Sequence, residues 1–273
     1  MKKQLKSLKQ FWILNFMRRM YLASNYFNGK YPQILKWGFA SKEDTNFTYN
    51  LTERNVRYMV QTISLVTKKE YGEILKYIEE VEGNQELKNH ITSTIGKSKE
   101  RKFADKEVRF GKRLGWYAFA RAIKPKVIIE TGVDKGLGSV LLCSALEKNR
   151  MEGYEGRYYG TDINTKAGYL LAGKYSEFGE ILYGDSIESL SNFKEKIDLF
   201  INDSDHSTEY EYQEYNTIKP LLNEETIILG DNAHCSGKLS KFSLETKRQF
   251  LFFQEEPLNH WYPGAGIGIS FNK

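Results

Sequence analysis

Apolar positions change their spacing along the chain. Between Glu53 and Glu82 they recur at helical intervals (Val56, Met59, Val60, Ile63, Val66, then Tyr71, Ile74, Leu75, Ile78), which predicts helices interrupted near Gly72 and ended by Gly83. A further helix is expected over 114–123, stopped by Pro125. From Lys126 onward, short β-rich runs alternate with helical ones. The runs are VIIETG (127–132), RYYGTDI (157–163), EILYGD (180–185), IDLFIND (197–203) and TIILGD (226–231), and the helical stretches are 139–149, 166–175, 187–194 and 209–222. Such alternation predicts parallel strands joined by crossover helices, hence an open α/β sheet. FLFFQEE (250–256) and GIGISFN (266–272) have no helix between them, only a connection with Pro257 and Pro263, so they predict an antiparallel terminal hairpin. The expected organisation is a helical, basic N-terminal region over 1–109 and an α/β domain over 110–273.

Composition agrees with a folded, core-bearing chain. Of 273 residues 40% are hydrophobic, with 18 Tyr and 16 Phe, so no disulfide framework is needed to hold a core. Cys143 and Cys235 are too few for such a framework or for a cysteine-based zinc site, which implies a reducing, cytoplasmic setting. The net charge of +5 is unevenly placed: Met1 to Lys42 holds nine bases and no acid, leaving 31 bases against 35 acids elsewhere. The longest apolar run in that head, Phe11-Trp12-Ile13-Leu14, is far short of the roughly 20 residues of a bilayer span. Leu5, Leu8, Trp12, Phe16, Arg19 and Ala23 fall near one helical face. The expectation is a basic amphipathic helix that packs on the body, joins a homo-oligomer, or makes peripheral contact with an anionic membrane surface. The segment 97–113, with eight bases and three acids, reads as a surface connection.

Ligands of open α/β sheets bind at the carboxyl ends of the strands. Here five successive strands end in acids: Glu130 before the glycine turn Gly132 to Gly138, Asp162, Asp185 followed by Ser186, Asp203 and Asp231 followed by Asn232. A lone terminal Asp is more often a helix cap than a ligand, but five on one rim mark a binding site. The glycine turn alone could serve NAD, a nucleotide, S-adenosylmethionine or mere strand-to-helix packing. It lacks the Gly-Lys-Ser/Thr of a phosphate-binding loop.

Taken together, ETGVDKG, GTDIN, GDSIESL, DLFINDSDHS and GDN resemble a class I S-adenosylmethionine-dependent methyltransferase over about residues 110–273. Within that class the chain is most similar to O-methyltransferases of the catechol and macrolide-sugar types. The resemblance implies a Rossmann-like seven-stranded sheet with the terminal hairpin, and S-adenosylmethionine as cofactor. It further implies Glu130, Gly132, Gly136 and Ser139 around the methionine, Asp162 on the ribose, and Asp185 with Ser186 beside the adenine. Asp203, Asp231 and Asn232 would suit Mg²⁺ or another divalent cation, whereas capping of loops by the two acids is the plainer alternative. His206, next to Asp203 and Asp205, is the candidate general base, with Asp203 beside it, unless it merely caps the following helix. Two positions depart from the pattern: Asn202 stands where an apolar residue is usual, and Asp134 where a glycine is common.

The implied acceptor is a hydroxyl on a small molecule, sugar or glycolipid. Nucleic-acid methylation is the alternative enzyme, encouraged by the basic head but without Asn/Asp-Pro-Pro-Tyr/Phe or Pro-Cys signatures. A dehydrogenase is opposed by the missing Gly-x-Gly-x-x-Gly spacing, and a non-catalytic binding protein by the full set of rim acids.

Overall fold

In the computed structural model, residues 12–43, 48–105, 107–204 and 207–273 are described, apart from the side chains of Phe27, Glu100 and Phe103. Two compact units emerge: residues 1–41 with 259–262, and residues 42–258 with 263–273.

The larger unit is built on a seven-stranded sheet in the order β3-β2-β1-β4-β5-β7-β6. Its strands are β1 Val127–Thr131, β2 Arg157–Asp162, β3 Gly179–Tyr183, β4 Ile197–Asn202, β5 Leu222–Gly230, β6 Gln249–Gln254 and β7 Gly266–Phe271. The first five are parallel, and β7 lies antiparallel between β5 and β6. Strand order reverses between β1 and β4, the place where ligands bind in such sheets. β1 is buried along its whole length, as a central parallel strand requires.

Helices cover both faces. Numbered in chain order over the whole protein, the helices of this unit are α3 Glu53–Thr67, α4 Tyr71–Glu82, α5 Gln85–Lys97, α6 Arg113–Ile123, α7 Leu137–Met151, α8 Ser186–Asn192, α9 Thr208–Ile218 and α10 Lys238–Glu245. On one face Ile129, Phe200 and Ile228 meet Tyr215 and Ile218 of α9 and Phe242 of α10. α6 is almost wholly buried, with Trp116, Tyr117 and Phe119 excluded from water. α4 is tied to α6 where Glu80 accepts from Tyr117 Oη at 2.6 Å and Arg121 Nε at 2.8 Å.

The fold departs from the sequence reading in four places. The helical break lies at Lys68, which takes a left-handed φ of 57°, and not at Gly72, which continues α4. No α-helix forms over 166–175; Gly168 and Gly173, with φ of 73° and 59°, hold turns followed by a 3-10 helix at Gly173–Glu177. α3 to α5 belong to the sheet-bearing unit, so the division falls after Ser41 and not after residue 109. The 97–113 segment is no mere surface connection, because Phe110, Lys112 and the start of α6 are buried.

That burial is organised by Glu255, just beyond β6. Its carboxylate accepts from the Lys112 backbone N–H at 2.7 Å, the Tyr49 hydroxyl at 2.9 Å and the Ala265 N–H at 3.1 Å. Burial raises its pKa against these bonds and Lys112. Glu255→Ala leaves three donors without their acceptor, and urea unfolding is expected to show a loss of roughly 2–4 kcal/mol. A loss below about 0.5 kcal/mol, the range of an ordinary surface substitution, would contradict this role.

Candidate functional site

The glycine turn connects β1 to α7 along a path that only glycine tolerates at two points. Gly132 and Gly136 have φ of 78° and 88°. A Cβ at Gly132 would lie 2.2 Å from the Asp203 carbonyl oxygen, and one at Gly136 would lie 2.9 Å from Gly168 Cα. Both glycines therefore serve close backbone packing.

Asp162, at the end of β2, reaches this turn. Its Oδ2 accepts from the Asp134 N–H at 3.0 Å and its Oδ1 from the Asn164 N–H at 2.8 Å. Two backbone donors thus fix a partly exposed carboxylate beside the turn, with acceptor capacity left over. Asp134, in the left-handed region at φ 45°, supplies one of those donors.

Glu130 and Ser139 lie underneath. Glu130 is 1% exposed and accepts from Tyr158 Oη at 2.5 Å, which also bonds Ser139 Oγ at 2.8 Å. Burial drives the Glu130 pKa up to about 7, against Tyr158 and Arg113, which pull it down. The pair braces the turn from below, with Ser139 buried and bonded to the Tyr158 hydroxyl.

Asp185 caps α8, accepting from the Glu188 N–H at 3.0 Å, and also accepts from Tyr210 Oη at 3.0 Å. Ser186 is buried against Tyr210 and Glu214. Glu214, on α9, also accepts from Ser204 Oγ at 2.6 Å, from Thr131 Oγ1 at 3.4 Å and from Asn202. The unusual Asn202 thereby acquires a reason: its amide feeds a buried carboxylate that links the ends of β1, β4 and α8. Desolvation raises the Glu214 pKa although four side chains donate to it.

The strongest charges are at Asp203 and Asp231. Lys112 Nζ lies 2.5 Å from Asp231 Oδ2, and Arg113 Nη2 lies 3.7 Å from Asp203 Oδ2. All four side chains are at most 14% exposed. Burial and the Asp231 charge push Asp203 well above the ordinary carboxylate range. Burial also raises Asp231, but Lys112 and Arg113 outweigh it and bring the net shift down. Lys112, penalised by desolvation, ends above its usual value because Asp231, Asp203 and Glu255 surround it. Arg113 lies over the Trp116 ring, 5.2 Å from its centroid.

This arrangement does not fit a divalent cation on Asp203, Asp231 and Asn232. Asp231 Oδ2 already holds the Lys112 ammonium and Asp203 has the Arg113 guanidinium close by, so a cation there would bring a third positive charge against them. His206 and Asp205 lie outside the described residues. His234 is exposed, with Nδ1 3.2 Å from the Asp231 carbonyl oxygen. Cys143 is buried, and burial holds its thiol well above its ordinary pKa; Cys235 is exposed.

Beside the glycine turn a cavity of about 430 Å³ opens, lined by Ile91 and Ile95 of α5, by Val108 and Arg109, and by Val133 and Leu137.

The stretch from β1 to just past β5, residues 129–233, matches the family model described as "Methyltransferase domain". Over these residues the chain is similar to a methyltransferase domain. The fold is shared with the SAH-bound methyltransferase PaMTH1 of Podospora anserina, at 17% identity and a TM-score of 0.50, over 69% of this chain and 88% of that one. The O-methyltransferase TomG of Streptomyces achromogenes, solved with SAM, aligns at 13% identity and a TM-score of 0.48, over 70% of this chain and 91% of that one. No curated protein matches the sequence.

The sequence reading missed Lys112, Arg113, Glu214 and Glu255. The buried Glu130 yields a pH prediction. Its folded pKa of about 7 exceeds the ordinary 4.5, so the native state binds the extra proton and its stability falls as pH rises from about 4.5 to about 7. Glu130→Gln is expected to flatten this decline and to gain stability relative to the parent at pH 8 over pH 5, measured by thermal unfolding. An unchanged difference between the two pH values would contradict it.

Proposed function

We propose that this methyltransferase takes S-adenosylmethionine along the rim of β1 and β2 and transfers its methyl group to a hydroxyl of a small molecule, sugar or glycolipid. The observation that carries the reading is Asp162, whose carboxylate is pinned by the Asp134 and Asn164 N–H groups at the lip of the glycine turn. A carboxylate there suits the two ribose hydroxyls, and its bonds to the turn couple ribose recognition to the turn's shape. The bound cofactor supplies a methyl group on a sulfonium, open to in-line attack.

The chain's own task is to orient the acceptor and receive its proton. The cavity beside the turn supports an acceptor of modest size, since about 430 Å³ is within the range of small-molecule sites. Its wall of Ile91, Ile95 and Val108 fits an apolar body, and Arg101, Lys102, Arg109 and Arg113 on the same lining suit polar or anionic groups on it. Asp203 and Asp231 together hold one proton more readily than none, because burial and mutual repulsion disfavour two charges. In this reading Lys112, and no divalent ion, compensates the acids.

Calorimetric titration with S-adenosylhomocysteine tests the cofactor. The parent is expected to bind, Asp162→Ala to bind at least tenfold more weakly with an unchanged unfolding midpoint, and NAD to give no heat. Binding of NAD but not S-adenosylhomocysteine, or an Asp162→Ala variant with parental affinity, would overturn the proposal.

A further inference from the structure

The smaller unit has a composition and exposure that the methyl-transfer site does not use. Its helices are α1 Trp12–Asn28 and α2 Tyr31–Ala40. None of the residues 12–40 whose exposure is described is buried. Projected at about 100° per residue, Trp12, Ile13, Phe16, Met17, Met20 and Tyr21 of α1 occupy one half of the helix, while the other half mixes Asn15, Arg18, Arg19 and Asn25 with Leu14, Leu22 and Tyr26. Trp12, Met17 and Tyr21 are 72%, 61% and 68% exposed.

α2 repeats the design. Trp37 is used internally, packing against Trp261 with ring centroids 5.3 Å apart, and Lys30 Nζ donates to the Trp261 carbonyl oxygen at 3.1 Å. Tyr31, Leu35 and Phe39, spaced by four residues on the opposite side, remain 59%, 62% and 91% exposed. An apolar surface of this breadth on a water-soluble helix marks an interaction site.

Charge selects the occupant. From Met1 to Lys42 there are nine bases and no acid, Arg18, Arg19, Lys30 and Lys36 among them. A second copy docked face to face would bring the same uncompensated positive charge against itself. An anionic lipid surface offers the complementary charge and accepts an apolar face bordered by Trp and Tyr at headgroup depth. Among the described residues no helix is long and apolar enough to cross a membrane, so insertion in the plane of the interface is the geometry available. We infer that α1 and α2 form a peripheral docking surface for an anionic bilayer. This inference does not depend on the methyl-transfer reading, since none of these residues belongs to the rim.

The test is flotation of the full chain with phosphatidylcholine vesicles, with and without about one third phosphatidylglycerol, beside light scattering for oligomeric state. The parent is expected to float with the anionic vesicles, weakly with the neutral ones, and less as salt rises. Leu35→Glu with Phe39→Glu should abolish flotation, and Arg18→Glu with Arg19→Glu should weaken partitioning roughly tenfold or more. Both variants should keep the parental unfolding midpoint and S-adenosylhomocysteine affinity. Failure of the parent to float at low salt, or a stable dimer that Leu35→Glu with Phe39→Glu converts to monomer without any vesicle binding, would overturn the inference.

Discussion

The rim of the sheet depends on one buried electrostatic arrangement, the Lys112 and Asp231 pair with Arg113 and Asp203 beside it. Parallel strands ending side by side bring their terminal acids together, and two carboxylates after β4 and β5 cannot both stay charged in a dry site without compensation. The compensation comes from the turn that begins α6, which is far from either acid in sequence. Its backbone is fastened by Glu255 from the terminal hairpin, so the last strands of the fold help to place cations at the ends of the middle ones. Removing one partner of such a pair is costly, of the order of 3–5 kcal/mol, because the other charge is stranded.

A second network has the same logic with neutral donors. Glu214 gathers Ser186, Asn202, Ser204 and Thr131, and so joins the ends of β1 and β4 to α8 and α9. Together the two clusters stiffen the rim, leaving Asp162 and the glycine turn as the partly open face where a ligand can be received. Preorganised acceptors of this kind need little rearrangement on binding, which is how a rigid scaffold turns geometry into affinity.

Much of this was legible in the sequence for identifiable reasons. Strands β1 to β5 announced themselves because each is a short apolar run ending in an acid, and the hairpin because no helical pattern separates its two halves. The place of Asp162 beside the glycine turn was legible because it follows from strand order alone. Lys112 and Arg113 were hidden in a segment whose eight bases make a surface the natural reading; nothing local distinguishes a lysine that will be buried from its exposed neighbours. Glu214 and Glu255 likewise acquire meaning only from partners many residues away, and α10 was overlooked because its buried apolar positions, Leu239 and Phe242, are few. The Lys112 contact with Asp231 was hidden for the same cause: oxygen donors can be read from sequence, but the ammonium beside one of them cannot.

The central claim is that Lys112 fills the position a divalent ion would need. Titration of the purified chain with Mn²⁺, following the electron paramagnetic resonance signal of the free ion, tests it without any knowledge of the acceptor. The parent is expected to leave the added Mn²⁺ free, whereas Lys112→Met, if folded, uncovers two carboxylates and binds one ion. Stoichiometric binding by the parent that Asp231→Asn abolishes would contradict the account.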